Sequence, residues 1–310
     1  MKIHTKLVIC LMLITAMIAG CSATETTSSD SAGKIKVFTS IYPLYDFASQ
    51  IGGNKVEVTN IIPPGAEPHT WEPSPKDMSA LTEADVIIYC GLGIEPWGDK
   101  VFNGSVIDTT NIKLLKASDS VEVLGAEDND DHSHSVDPHV WLDPLNVRKI
   151  VDNITATLVE LDGDNKDYYQ ANASAYKKEL DELHHDLKNS FVNVAKNEFV
   201  VSHAAFGYLA HRYNLKQVPV RGLSPEVEPK PQDMVDVIKL AKENDINYIF
   251  FEKMVSPKVS ETIAREIGAE TLVLNPMGNL TKEEVNSGLD YISVMRQNMN
   301  NLQKALGSKN

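Results

Sequence analysis

What most constrains this chain is a repeated alternation between short runs rich in β-branched residues and longer stretches with helical periodicity. The runs are Ile35 to Thr39, Val56 to Ile62, Val86 to Tyr89, Phe199 to Ser202, Tyr248 to Phe251 and Thr271 to Leu274. Apolar runs of this kind are the pattern of strands buried on both faces. Separated by helices, they predict parallel sheets covered on each side.

Between the third and fourth runs lies a segment of another kind. From Pro144 to about Ala195 almost nothing interrupts a helical pattern except Leu161-Asp-Gly163-Asp164, where Gly163 can end one helix and Asp164 can cap the next. The second helix, from about Asn165 to Ala195, would extend about 45 Å at 1.5 Å per residue, more than the width of one small α/β layer. The expected architecture is therefore α/β: two Rossmann-like lobes with parallel sheets, residues 34–163 and 196–310, joined by one long backbone helix over 164–195. A chain of 310 residues fits two such lobes.

The N-terminus predicts export. Lys2 and Lys6 precede Leu7 to Ala19, an apolar run of 13 residues, too short for the ~20 of a permanent membrane span and suited to a signal peptide over residues 1–20. The segment closes on Ile18-Ala19-Gly20-Cys21, which resembles the lipobox of bacterial lipoproteins and makes Cys21 the expected lipid-bearing residue. Residues 21–33, rich in Ser and Thr and without apolar periodicity, read as a flexible tether. The expected location is the outer face of the cell membrane, held by a lipid anchor. Cys10 leaves with the signal and Cys21 is acylated, so Cys90 has no partner for a disulfide and reads as a small buried residue at a strand end.

Charge excludes one class of partner. The full chain carries −14, and loss of residues 1–20 with their two lysines takes this to −16, so no global basic field exists to attract nucleic acid.

In open parallel sheets ligands bind beyond the carboxyl ends of strands. There the sequence places three imidazoles on stiff turns. His69 lies in Pro63-Pro-Gly-Ala-Glu-Pro-His69-Thr-Trp-Glu-Pro73. His139 stands between two prolines in Val136-Asp-Pro-His-Val-Trp-Leu-Asp-Pro144, and His203 directly follows Phe199-Val-Val-Ser202. Neutral imidazole binds Zn²⁺ at about 2.0–2.1 Å, and Asp137, Asp143 or a backbone carbonyl is placed to hold a second ring nitrogen. Separations of 70 and 64 residues form no local motif, so only the fold can bring the three together. Trp71 and Trp141, each two residues after a histidine, suit either the wall of the cleft or the core. His184 and His185, among charged residues of the long helix, read as solvated.

The segments PPGAEPHTWEPSPKD, DPHVWLDP, VVSHAAFGYLAHRYNL and GLSPEVEPKP occur in this order behind the lipobox. Together they resemble the metal-specific solute-binding lipoproteins of ABC importers, the ZnuA/AdcA/TroA-like family. The resemblance implies a two-lobed monomer that holds a divalent metal ion between its lobes and hands it to an ABC permease in the membrane, with no enzymatic activity. It also implies that His69, His139 and His203 are ligands. Three imidazoles favour Zn²⁺ over the Mn²⁺ of members that use two carboxylates, with Cu²⁺ a competitor. Zinc-binding relatives often place a carboxylate after an Asn-Pro pair that follows the last strand, whereas this chain has Asn275-Pro-Met-Gly-Asn279-Leu-Thr. The fourth position then falls to water, the Asn279 amide oxygen, Glu252 or a residue of the acidic loop, with water or Asn279 preferred. His132 and His134, within Glu127-Asp-Asn-Asp-Asp-His-Ser-His134, resemble a shortened His-rich loop that collects metal, and equally suit a solvated charge run. Two other readings compete: a three-His zinc hydrolase or hydratase, and a manganese-binding homologue or adhesin.

Overall fold

The computed structural model describes residues 33–104, 106–125 and 136–309. The expected signal peptide and tether, Cys21, His132 and His134 lie outside the described residues.

Two four-stranded parallel sheets carry the fold. The first contains β1 (Ile35–Thr39), β2 (Val56–Asn60), β3 (Val86–Tyr89) and β4 (Lys113–Lys116) in the order β2-β1-β3-β4. The second contains β5 (Glu198–His203), β6 (Lys216–Arg221), β7 (Tyr248–Phe251) and β8 (Glu270–Val273) in the order β6-β5-β7-β8. Helices α1 (Tyr42–Gly52), α2 (Pro75–Leu81) and α3 (Gly98–Phe102) belong to the first half. The second half carries α6 (Gly207–Tyr213), α7 (Pro231–Glu243), α8 (Lys258–Ile267), α9 (Lys282–Asn286) and α10 (Tyr291–Leu306), with α4 (Pro144–Leu161) and α5 (Lys166–Phe191) between.

Six of the eight strands are those the apolar runs predict, and the two unpredicted ones are both sheet edges. In β4 only Leu114 and Leu115 are apolar, between two lysines, because an edge strand need not be apolar throughout. In β6, Pro219 interrupts the run. The strand pairs on one side only, with Val201 opposite Pro219, so the missing N–H weakens no central ladder.

The long helix is real but shorter than expected. At 26 residues α5 spans about 39 Å, and it ends at Phe191 because the chain then turns to form an isolated bridge between Val194 and Ser308. Its start differs too. Asp162, not Asp164, organises the junction, accepting hydrogen bonds from Asn165 Nδ2 and Tyr169 Oη, both at 2.7 Å. One stripe of α5 is buried: Tyr169, Ala173, Tyr176, Leu180, Leu183, Leu187 and Phe191. This is the spacing of one helix face, and each fully buried leucine contributes about 1.5–3 kcal/mol. The stripe braces both halves. Asn172 Nδ2 donates to Ile51 O at the end of α1, Tyr176 Oη donates to Asp46, and Arg296 of α10 pairs with Asp186.

The segment after β8 closes the molecule. Trp141 Nε1 donates to Pro276 O at 2.8 Å, Tyr42 N to Gly278 O at 3.2 Å, and Tyr291 Oη to Trp141 O at 2.7 Å. Tyr291 meets the Phe47 ring edge-on at 5.1 Å. One apolar core therefore runs across both sheets, while a smaller one lies under α7 and α8. The consequence for function is that the loops at the strand ends face one another across a gap.

Candidate metal site

Each histidine reaches the gap by a different device. His203 is the last residue of β5, so the strand itself aims it. His139 follows Pro138 and opens the 3₁₀ turn Val140–Leu142, just ahead of α4, whose first turn Asp143 caps by accepting from Leu145 N at 2.9 Å. His69 rides on the proline-rich loop after β2. That loop is fixed from the second half: Gly65 N donates to Leu280 O at 2.8 Å, and the Asn279 amide donates to Pro63 O at 2.7 Å and Ala66 O at 2.9 Å.

The three side chains converge. His69 Nε2 and His139 Nε2 are 3.3 Å apart, His203 Nε2 and His139 Nε2 are 3.4 Å apart, and ligand atoms of all three lie within 4.8 Å of one another. Two nitrogens bound to one tetrahedral ion at 2.0–2.1 Å stand about 3.3 Å apart, so the spacing is that of a zinc-type centre. Among the described residues no other group of histidine, cysteine, aspartate and glutamate is gathered in this way.

Two carboxylates orient the rings. Asp137 Oδ1 accepts from the backbone N–H of His139 at 2.9 Å and lies 2.8 Å from its Nδ1, and Glu252 Oε1 lies 2.7 Å from Nδ1 of His203. With the proton on Nδ1, the Nε2 lone pairs of both rings point into the centre. Two lone pairs 3.4 Å apart repel unless a cation or a proton lies between them. Of the candidates for this supporting role, Asp137 performs it; Asp143 instead caps α4 and pairs with Arg212 at 2.6 Å.

Burial sets the protonation of the site. It pushes His69 down to about 2, helped by the neighbouring imidazoles of His139 and His203, and it also lowers His139 against the pull of Asp137. For His203 burial again pushes down, but the charge and hydrogen bond of Glu252 outweigh it and leave this imidazole above its ordinary value. Glu67, at the same cavity, is raised by burial to about 7. The cavity has room for a water-sized sphere over only ≈ 10 Å³, and Ile94, Trp141, Met254 and Pro276 line it.

Asn279 has its amide on the backbone: both its amide hydrogens are bound to loop carbonyls and its oxygen accepts from Leu280 N at 2.9 Å, so the amide positions the His69 loop. Glu252, a candidate for the fourth position, is committed to His203. Trp141 lines the site, with its ring 5.3 Å from that of His139, whereas Trp71 packs edge-on against Trp97 at 5.6 Å. Cys90 is buried and free, as expected. His185 is exposed, but His184 is half-buried with Nδ1 3.1 Å from Tyr213 Oη, so only the first of these two is solvated. The sequence reading overlooked Glu67; its signal was a carboxylate two residues before a histidine on a loop too stiff to separate them.

Comparison with known proteins agrees with this geometry. The family model described as ZnuA, the periplasmic component A of a zinc-uptake complex, matches residues 37–305. The high-affinity zinc uptake system protein ZnuA of Bacillus subtilis is 39% identical over 307 residues, 96% of this chain and 95% of that protein. The zinc-binding lipoprotein AdcA of Streptococcus pneumoniae is 36% identical over 88% of this chain, which spans 56% of AdcA's length. The crystal structure of the Zn(II)-bound ZnuA-like domain of that AdcA superposes with a TM-score of 0.77 at 35% identity, covering 88% of this chain and 99% of the domain. A two-sheet α/β chain with three imidazoles at the strand ends, matched over almost its whole length, belongs to the ZnuA family of zinc-uptake solute-binding components.

Proposed function

We propose that this protein captures Zn²⁺ between its two lobes through His69, His139 and His203 and delivers it to an ABC permease, without catalysing a reaction. The lobes are assigned to 34–163 and 196–310. Residues 1–20 direct export, and Cys21 carries the lipid that holds a monomer at the outer face of the membrane, with 21–33 as tether. Among the described residues no helix is long and apolar enough to cross a membrane.

One observation carries the reading: three ligand atoms within 4.8 Å, two of the spacings at 3.3 and 3.4 Å, on turns from three separate parts of the chain. Supporting it, the relatives are named for zinc uptake and zinc binding. A hydrolase would need room for an organic substrate beside the ion. Small-molecule sites commonly occupy several hundred Å³, and a cavity of ≈ 10 Å³ admits an ion with a water and little else.

Capture exchanges the ion's water shell for fixed nitrogens and displaces any proton held at those nitrogens. The braced core allows only modest movement of the lobes. The test is calorimetric titration of the mature protein with Zn²⁺ and with Mn²⁺, joined to elemental analysis of the purified protein. One zinc per chain that Mn²⁺ fails to displace is expected. Preferential loading with manganese, or zinc binding unchanged in His139→Ala, overturns the reading.

A further inference from the structure

Three imidazoles leave one corner of a tetrahedral zinc site open, and closed structural or cargo sites usually fill that corner with a fourth donor. The groups around the cavity decide which one is available. Asp137 and Glu252 are held on the ring nitrogens of His139 and His203 at 2.8 and 2.7 Å. Asn279 is bound at all its amide atoms to the backbone. The indole N–H of Trp141 only donates, and does so to Pro276 O. The segment after β8, where relatives often carry a carboxylate, presents Gly278 to the cavity; a Cβ there would stand 3.1 Å from Pro68 Cγ, and no side chain reaches in from that edge. Two donors remain on the lining: the thioether of Met254 and the carboxylate of Glu67.

Between these, charge and hardness select the carboxylate. Zn²⁺ takes Asp or Glu oxygen at about 2.0–2.2 Å, while a neutral thioether suits Cu(I). The contacts of Glu67 also leave it available. Oε1 accepts one long hydrogen bond, 3.3 Å from the backbone N–H of His69, and among the described residues no lysine or arginine forms an ion pair with it. It lies on the same loop as His69, two residues earlier, within the turn formed when Thr70 N and Trp71 N donate to Glu67 O at 3.2 and 3.0 Å.

We infer that Glu67 is the fourth zinc ligand, so that one loop of the first lobe supplies two of the four donors. The inference rests on the zinc reading above. Its carboxylate is not among the groups whose ligand atoms stand within 4.8 Å of one another, so loading turns the Glu67 side chain inward and exchanges the long bond to His69 N–H for the metal. The loop itself need not move, because the Asn279 amide holds it at Pro63 and Ala66.

The experiment is a zinc competition titration of wild type, Glu67→Gln and Met254→Leu against a chromogenic chelator, with zinc-loaded crystal structures of the same proteins. Glu67→Gln should weaken zinc at least about tenfold, the lower end of what even an outer partner of a ligand costs, and Met254→Leu should leave affinity within about twofold. The zinc-loaded wild type should show a Glu67 oxygen on the ion, and thermal unfolding of the apo variants should match wild type, which separates lost ligation from lost fold. Affinity unchanged in Glu67→Gln, or water or Met254 Sδ at the fourth corner of the loaded wild type, overturns the assignment of Glu67 while leaving the zinc reading intact. Failure of wild type itself to bind zinc overturns both.

Discussion

His139 and His203 form one kind of imidazole at the site and His69 another. The first two are 1% and 2% exposed, and each has a carboxylate on its second ring nitrogen. His69 is half-buried on a loop, and among the described residues its ring has no carboxylate partner. The buried pair is thus oriented before any ion arrives, whereas His69 depends on a loop pinned from the opposite lobe. The difference teaches that the floor of the gap is oriented by its own carboxylates, while the His69 side is the less constrained one.

The comparison breaks most visibly if the floor is removed. If about 10–16 kcal/mol of binding is shared among four ligands, each supplies roughly 3 kcal/mol, about a hundredfold in affinity. His139→Ala and His203→Ala should each lose at least that much, because the remaining carboxylate is left beside a gap. His69→Ala should lose less than either, since water can enter from its side. Calorimetry on the three variants ranks them; a ranking with His69 first would refute the division drawn above.

The supporting carboxylates come next. Asp137→Asn or Glu252→Gln should weaken zinc about 10–100-fold at high pH, the usual cost of losing a partner that orients a metal-bound imidazole. Glu252→Gln has a second, opposite signature. His203 stands above its ordinary value of 6.5 because of Glu252, and zinc needs it neutral, so wild-type affinity should fall as pH is lowered through neutrality, by about tenfold per unit for one displaced proton. Without Glu252 the burial that lowers this imidazole is opposed only by the weaker pull of Glu67 and Asp137, so the fall should begin at lower pH in the variant. Zinc titrations at pH 5.5 to 8.5 check this. Identical pH profiles would mean that Glu252 does not set the proton balance.

Much of this was readable from the residues alone, and the exceptions share a cause. His69 on a proline-rich loop after a predicted strand, His203 at a strand end and His139 between two prolines before a helix pointed to the site because strand ends and prolines are local signals. Asp137 was readable for the same reason, standing two residues from His139. What sequence could not supply was competition from remote partners. Asn279 follows an Asn-Pro pair where a ligand was expected, yet the carbonyls of Pro63 and Ala66, 216 and 213 residues away in the chain, claim its amide. Strand β6 was hidden by Pro219, which disqualifies a central strand but not the edge that the topology makes it. The helix α5 was drawn too long because the bridge from Val194 to Ser308, which turns the chain aside, depends on the far C-terminus.

The smallest effect sharpens the comparison most finely, because it acts on His69 only through the loop that carries it. Asn279→Ala removes three hydrogen bonds, leaving the Pro63 and Ala66 carbonyls and the Leu280 N–H to find water at a site where Asn279 itself is 1% exposed. Each net bond is worth about 0.5–1.5 kcal/mol, so a stability loss of about 1.5–4.5 kcal/mol in denaturant unfolding is expected. The loop keeps the Gly65 N to Leu280 O bond, so it should loosen and not detach. Zinc affinity should then fall only several-fold, through His69 and Glu67, the two donors carried by that loop. In a double variant with His69→Ala the substitution at Asn279 should therefore add a smaller loss of affinity than it causes alone while still costing its full share of stability. Additive losses of affinity would instead place the Asn279 amide on the ion.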